Sequence, residues 1–279
     1  MEHQTNKKKL LGIVGSYRKL GNCEIVAKSV AEILGNNWKL CLMSLPRLRI
    51  EPCKGCYVCL LPEKQCNIKD DVQWILDRIV EADAIIFAAP NYVLGPVGIV
   101  KMLADRALQT KDVIAELNRK KTAVALTLGR EDYRGYSDTA LTAQLRVLGL
   151  KVVSLEHFYG TFPGEAVLAD DYEGKIAHLA TSLQSETYEQ KVPQYRCPIC
   201  FSDLFRIRDE YLECAICRSR AKYENNTLQF VEFGTQFTDE GQREHFEWLA
   251  MKKGEYIKIK DDLQEVQNKY RGGNWITPG

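Results

Sequence analysis

The sequence has almost no excess of either charge: 38 lysines and arginines face 37 aspartates and glutamates, for a formal net charge of +1. Such a chain lacks the strong positive field that nucleic-acid or membrane-surface binding draws on, and no nucleic-acid or membrane partner is expected. Lys7-Lys8-Lys9 is a short basic run that reads as a frayed N-terminal face. Long apolar runs are also missing. The stretch opening at Leu10 ends within five residues at Gly15, too short for a signal core or a membrane span, so a cytoplasmic address is expected. Histidine is scarce. His3, His157, His178 and His245 form no cluster with one another or with acidic residues, which leaves them surface or packing roles. Internal repeats and low-complexity segments are absent. A second glycine-rich strand–turn–helix of the dinucleotide type is absent as well.

What remains is an ordinary soluble composition, 45 % hydrophobic and 27 % charged over 279 residues, enough for one α/β domain and a smaller module. Short apolar runs alternate with helical patterns: strands at Leu10 to Val14, Trp38 to Leu45, Ala84 to Ala88, Thr122 to Leu128 and Lys151 to Leu155. Helices are expected at Ile25 to Leu34, Asp70 to Val80, Val97 to Leu108, Thr139 to Leu148 and Tyr172 to Leu183. Five strands alternating with helices describe a doubly wound parallel sheet, with ligands at the strands' carboxyl ends. The expected division is residues 1–185 for this domain, 186–194 for a polar linker, 195–233 for a compact cysteine module and 234–279 for a helical extension. That extension has helical stretches around Gln242 to Met251 and Asp261 to Tyr270, then a Gly/Pro tail.

Ten cysteines are the unusual feature. In a reducing compartment they are poor candidates for disulfides. Cys23 and Cys41 stand alone, and the other eight fall in two tight groups, which points to metal.

The loop after the first strand reads Gly15-Ser16-Tyr17-Arg18-Lys19-Leu20-Gly21-Asn22-Cys23. Ser16, Arg18 and Asn22 supply donors, Gly15 and Gly21 allow close backbone approach, and a helix N-terminus follows; together these make an anion site. The bland alternative is a capped turn with a solvated arginine. The segment resembles the phosphate loop of NAD(P)H-dependent FMN reductases and iron–sulfur flavoproteins, with Tyr17 where that family usually has Pro and Cys23 where it usually has Thr. The resemblance implies FMN, its phosphate held by Ser16, Arg18, Gly21, Asn22 and Cys23, with one hydroxyl contact weakened at Cys23.

Cys53, Cys56, Cys59 and Cys66 read C-x2-C-x2-C-x6-C. Three cysteines at regular short spacing with a fourth further on suit a cubane cluster, whereas mononuclear zinc more often uses paired C-x2-C knuckles. A zinc loop is the alternative. The run from Pro52 to Cys59, then Cys66-Asn67-Ile68-Lys69-Asp70-Asp71, is similar to the compact motif of iron–sulfur flavoproteins, which implies a [4Fe–4S] cluster. Over residues 10 to 185 the same resemblance implies a flavodoxin-like fold, a flavin wall at Pro90, Asn91, Tyr92 and Gly95, and backbone approach to the ring by Gly129 and Gly135. It also implies a ferredoxin-type donor, a small-molecule acceptor, and a homodimer or homotetramer. Asp105 and Arg106, which match the family's Asp-Arg ending, read as a helix-surface or interface pair.

Cys197, Cys200, Cys214 and Cys217 read C-x2-C-x13-C-x2-C, two knuckles around a hairpin-length insert, and indicate a zinc ribbon. Rubredoxin-type iron is the rival, but rubredoxins usually place Gly after each knuckle, where this chain has Phe201 and Arg218. The functional expectation is an iron–sulfur flavoprotein oxidoreductase. The alternatives are a NAD(P)H-dependent flavin or quinone reductase with a structural cysteine loop, and a binding protein whose ribbon and C-terminal helices dock a partner.

Overall fold

The computed structural model describes residues 7–188 and 192–271. His3, the Gly/Pro tail and three residues of the expected linker lie outside them.

The apolar runs become strands and the periodic runs become helices, in the order β1 (Lys8–Val14), α1 (Asn22–Leu34), β2 (Trp38–Ser44), α2 (Val72–Glu81), β3 (Ala84–Tyr92), a two-residue β4 (Gly95–Pro96), α3 (Gly98–Ala104), a single-turn α4 (Ile114–Leu117), β5 (Lys121–Leu128), α5 (Ser137–Val147), β6 (Lys151–Tyr159) and α6 (Tyr172–Gln184). Five of the strands lie parallel in the order β2-β1-β3-β5-β6, and β4 pairs antiparallel with the end of β3. This is the flavodoxin-like order. The chain reverses direction across the sheet between β1 and β3, which opens a crevice at their carboxyl ends.

Alternation within the strands builds the two faces. Leu11, Ile13, Ile85, Phe87 and Val124 pack with α2, α3 and α5, through Ile75, Ile79, Val100, Leu103, Leu141 and Leu145. Leu10, Val14, Ile86, Ala88 and Ala125 pack on the other face with α1 and α6, through Val26, Val30, Ile176 and Leu179. Both faces being covered explains why the strands read as continuous apolar runs. The helix expected from Val97 to Leu108 is shorter: α3 ends at Ala104, and a 3-10 turn spans Ala107–Thr110. It breaks where Arg106 turns inward to partners described below.

The cysteine module forms a second sheet from β7 (Phe205–Ile207), β8 (Leu212–Cys214), β9 (Arg220–Glu224) and β10 (Thr227–Glu232), antiparallel in the order β10-β9-β8-β7. The β9–β10 turn is Asn225-Asn226, both left-handed at φ 51° and 60°, the backbone a tight hairpin needs. Phe201 leaves the module to join the core between α5 and the large sheet. Thr142 Oγ1 on α5 donates to the Cys200 carbonyl at 3.0 Å. Two helices follow, α7 (Asp239–Lys258), capped by Thr238 accepting from the Gly241 N–H, and α8 (Lys260–Asn268). Gln242 of α7 donates to the Arg146 carbonyl of α5 at 2.9 Å. Among the described residues, no helix is long and apolar enough to cross a membrane.

Candidate functional site

A cavity opens at the carboxyl ends of β1, β3, β5 and β6. Ser16, Arg18, Asn22, Cys23, Pro90, Asn91, Tyr92, Thr127, Leu128, Gly129, Gly160 and Thr161 line it. Eight residues singled out from the sequence meet here: Ser16, Arg18, Asn22, Cys23, Pro90, Asn91, Tyr92 and Gly129. Helix α1 begins behind Gly21 with no side-chain cap, so the N–H groups of its first turn are free to face an anion. Ser16 Oγ accepts from the Arg18 N–H at 3.2 Å, which leaves its own proton to donate.

Two of the donors do more than face the cavity. Arg18 Nη1 donates to the Thr161 carbonyl at 2.6 Å, and Asn22 Nδ2 donates to the Gly160 carbonyl at 3.0 Å while its Oδ1 accepts from the Ala166 N–H at 3.3 Å. They tie the loop after β1 to the loop after β6. Gly160 fits because a Cβ there would stand 2.7 Å from the Ala166 nitrogen and 3.0 Å from Asn22 Nδ2. Cys23 is buried and shares a hydrogen bond with the Thr127 hydroxyl at 3.2 Å. Burial pushes its thiol up to about 11, so it stays protonated and is no nucleophile.

Gly21, Gly95 and Gly135 do not line the cavity. Gly21 is the helix cap. Gly95 lies under the Tyr136 ring, its absent Cβ 3.0 Å from the hydroxyl. Gly135, at φ +59°, lets the loop after β5 press on the turn after β3: a Cβ would come within 2.3 Å of the Leu94 carbonyl, which accepts from the Tyr136 N–H at 2.9 Å. Asn91 fixes the same loop, with Nδ2 donating to the Tyr133 carbonyl at 2.7 Å and Oδ1 accepting from Ser137 Oγ at 2.5 Å. Sequence reasoning missed Thr127, Gly160 and Thr161, although strand-end position alone marks Thr127.

Cys53, Cys56, Cys59 and Cys66 sit on the connection from β2 to α2, with Cys53 and Cys56 exposed and Cys59 and Cys66 partly buried. Burial raises the Cys59 thiol, and the neighbouring Cys66, Cys53 and Cys56 raise it further. Both ends of the connection are clasped. Asp70 Oδ2 accepts from the Glu51 N–H at 2.9 Å, and Arg106 donates through Nη1 to the Glu51 carbonyl at 2.9 Å and to Asp70 at 2.6 Å. Arg106 Nη2 reaches Cys66 Sγ at 3.3 Å. Arg106 is therefore no surface residue, as its helical setting had implied. It is 2 % exposed, and its ion pair with Asp70 is sealed.

The second group is geometrically tighter. The sulfurs of Cys197, Cys200, Cys214 and Cys217 all lie within 4.8 Å of one another and are buried, the one such group among the described residues. Two sulfur pairs stand 3.4 Å apart. Four thiolates around one ion at about 2.3 Å would lie about 3.8 Å apart, so the set fits a mononuclear metal. A cubane puts each cysteine on its own iron and spreads them wider, which suits the looser loop group. The two knuckles repeat one another: Phe201 N–H donates to the Cys197 carbonyl and Arg218 N–H to the Cys214 carbonyl, at 2.8 and 3.1 Å, with Phe201 and Arg218 left-handed at φ 65° and 64°.

A buried ionic hub joins this module to the first site. Asp138, wholly buried in the first turn of α5, pairs with Arg196 at 2.5 Å and Arg134 at 3.5 Å. Asp203 of the module takes Arg196 at 3.3 Å, Arg134 at 3.2 Å and the Thr139 hydroxyl at 3.0 Å. Burial alone would raise the Asp138 carboxyl, but the His157 ring 3.5 Å away and the two guanidinium charges outweigh it and hold the group well below the usual carboxylate range. Arg134 belongs to the loop that Asn91 and Gly135 fix beside the cavity.

Comparison with known proteins agrees with this architecture. The profile of the NADPH-dependent FMN reductase family matches residues 8–162. An iron–sulfur flavoprotein of Archaeoglobus fulgidus is 31 % identical over 169 residues, 58 % of this chain and 82 % of that protein. Flavone synthase cfoJ of Aspergillus candidus is 26 % identical over 251 residues, 75 % of this chain and 76 % of its own. The solved structure of a flavone reductase aligns with a TM-score of 0.68 at 18 % identity, covering 97 % of this chain and 100 % of that one, so the likeness of fold runs through the cysteine module and the C-terminal helices.

Proposed function

Because the chain belongs to the NADPH-dependent FMN reductase family, among its iron–sulfur flavoproteins, and is an FMN-dependent oxidoreductase, we propose that it passes electrons from a ferredoxin-type donor through a [4Fe–4S] cluster and FMN to a small acceptor. The observation that carries this is the complete C-x2-C-x2-C-x6-C set on one clasped loop, two of its cysteines open to solvent. The cluster takes single electrons and FMN one or two, so together they couple a one-electron donor to a two-electron acceptor.

The chain's own part is holding and shielding. Cys53, Cys56, Cys59 and Cys66 ligate the cluster, and the exposed pair gives a partner protein access to it. Ser16, Arg18 and the uncapped first turn of α1 take the FMN phosphate. Arg18 and Asn22 keep the two rims of the cavity together around it. Pro90, Asn91 and Tyr92 wall the ring, and Gly129 admits it close to the backbone. Cys197, Cys200, Cys214 and Cys217 hold zinc, closed by four protein ligands and therefore structural.

Anaerobically purified protein is expected to contain FMN, about four irons and about one zinc per chain, following the two ligand sets. Cys59→Ala should remove the iron absorbance and leave zinc; iron unchanged in that variant would end the cluster assignment. Arg18→Ala should weaken FMN binding by about 1.5–3 kcal/mol, the range for hydrogen bonds to charged groups, measured by fluorescence titration of apoprotein. Retention equal to wild type would remove Arg18 from the phosphate site.

A second reading has two observations behind it: the similarity to flavone synthase cfoJ spans three-quarters of both chains, and Tyr92 lines the cavity exposed, with Tyr17 and Phe162 exposed next in sequence to the lining residues Ser16 and Thr161. In that reading NAD(P)H reduces the flavin and the acceptor is a planar aromatic compound stacked on these rings. Anaerobic stopped-flow bleaching separates the two. The leading reading expects reduced ferredoxin to outpace NADPH and to need Cys56; fast bleaching by NADPH, undiminished in Cys56→Ala, selects the second.

A further inference from the structure

Burying a guanidinium is expensive unless every N–H is used. Arg106 directs its two Nη groups at three parts of one loop: the Glu51 carbonyl at its entry, Asp70 at its exit through both Nη1 and Nη2, and between them the sulfur of Cys66. The Gln109 amide oxygen, turned toward the guanidinium, accepts from Nε at 2.8 Å and shares Nη2 at 2.9 Å. The clasp alone would be complete with Glu51 and Asp70. The bond to sulfur is an addition, and it falls on a cysteine of the partly buried half of the group, where water screens least.

We propose that Arg106 is a positioning residue that sets the reduction potential of the iron–sulfur centre, holding an N–H on Cys66 Sγ while Asp70 fixes the guanidinium and opposes its charge. The proposal rests on the assignment of a cluster to Cys53, Cys56, Cys59 and Cys66. Reduction adds one electron, supplied by a low-potential donor, to the cluster and its thiolates; no bond forms or breaks. The added negative charge is favoured by a nearby N–H donor and disfavoured by a nearby carboxylate. Arg106 therefore raises the potential and Asp70 lowers it. The two halves of a single ion pair act in opposite directions on the same centre.

That opposition distinguishes tuning from bracing. If the pair only closed the loop, Arg106→Gln and Asp70→Asn would both loosen it and shed iron, and the cluster that remained would titrate alike. The experiment is a mediated redox titration of full-length protein, followed by EPR of the reduced cluster, on wild type, Arg106→Gln, Arg106→Lys and Asp70→Asn, with iron quantified in each. At the wild-type midpoint, the reduced-to-oxidised ratio should fall about tenfold in Arg106→Gln, a shift of about 59 mV for one electron. It should rise in Asp70→Asn and fall less in Arg106→Lys, which keeps the charge but loses the fork. Where Arg106→Gln cannot retain iron, the other two variants carry the same comparison. Equal midpoints, or shifts of one sign in Arg106→Lys and Asp70→Asn, overturn the proposal. A wild-type protein with no reducible centre on this loop fails at the cluster assignment instead, a separate result.

Discussion

Asp138→Ala is expected to lose about 3–5 kcal/mol of stability, the usual cost of removing one partner from a buried ion pair. The Asp138 carboxylate is wholly buried and receives Arg196 at 2.5 Å, itself buried beside the first knuckle. Without it, Arg196 keeps Asp203 at 3.3 Å, which places the loss toward the lower end of that range. Asp138→Asn should keep the shape and lose the charge, and so gives the pH dependence directly. The folded carboxyl lies below its ordinary value of 3.8, so its contribution is fully present above that value and disappears as the pH falls through the folded one. Wild type should therefore hold a constant advantage over Asp138→Asn at neutral pH, and the advantage should shrink only below about pH 4. Urea denaturation at pH 7 and pH 3 measures both. A difference under about 1 kcal/mol at pH 7 would mean that the hub is as weak as a surface pair.

Residues legible in the sequence share a property: their role is local. The strands announce themselves because both faces of the sheet are covered, so Leu10 to Val14 and Ala84 to Ala88 are apolar without interruption. The loop after β1 and the two cysteine groups are each one continuous short stretch of chain, so their residue types and spacing could be read directly. The hub and the clasp are different. Asp138 meets Arg196 across 58 residues and Arg106 meets Cys66 across 40, so no local pattern marks either pair. Arg106 misleads because its neighbour Asp105 is a surface partner of Lys101 one turn back, while Arg106 points into the protein. Gly135 reads in the sequence as backbone approach to the flavin ring, but it packs against the Leu94 carbonyl instead, a contact that depends on β4 folding back on β3. The β9–β10 hairpin was within reach, since Asn225-Asn226 between Arg220–Glu224 and Thr227–Glu232 is a turn signal of the kind that produces left-handed pairs.

Stripping the metal from the ribbon should have the largest effect of all. Its centre is the four cysteines themselves, with Ile199, Phe205, Ile216, Phe230 and Phe237 packed only partly around them. So little apolar area cannot offset the chain entropy of four short strands. Metal binding in such modules contributes on the order of 10 kcal/mol or more at neutral pH, and without it four sulfurs all within 4.8 Å of one another cannot all remain ionised. Chelation, or Cys214→Ala, should therefore unfold residues 195–233 as a unit. The consequences should spread along the contacts described above. Phe201 would leave the core, Thr142 would lose the Cys200 carbonyl, and Arg134 and Asp138 would lose Asp203 and Arg196 together. The loop carrying Arg134 stands beside the cavity proposed for FMN, held there by Asn91 through the Tyr133 carbonyl. Hydrogen exchange followed by mass spectrometry is the direct test. Amides of β7 to β10 should lose protection on metal removal, those of α5 and residues 129–136 should lose part of theirs, and β1, β3 and β5 should keep theirs. FMN should dissociate faster from the stripped protein, because the loop against its cavity has lost the Arg134–Asp203 anchor and keeps only those made through Asn91 and Leu94. Ribbon amides that stay protected after the metal is gone would show that the module folds on side-chain packing and the hub, and that the four cysteines are not what holds it.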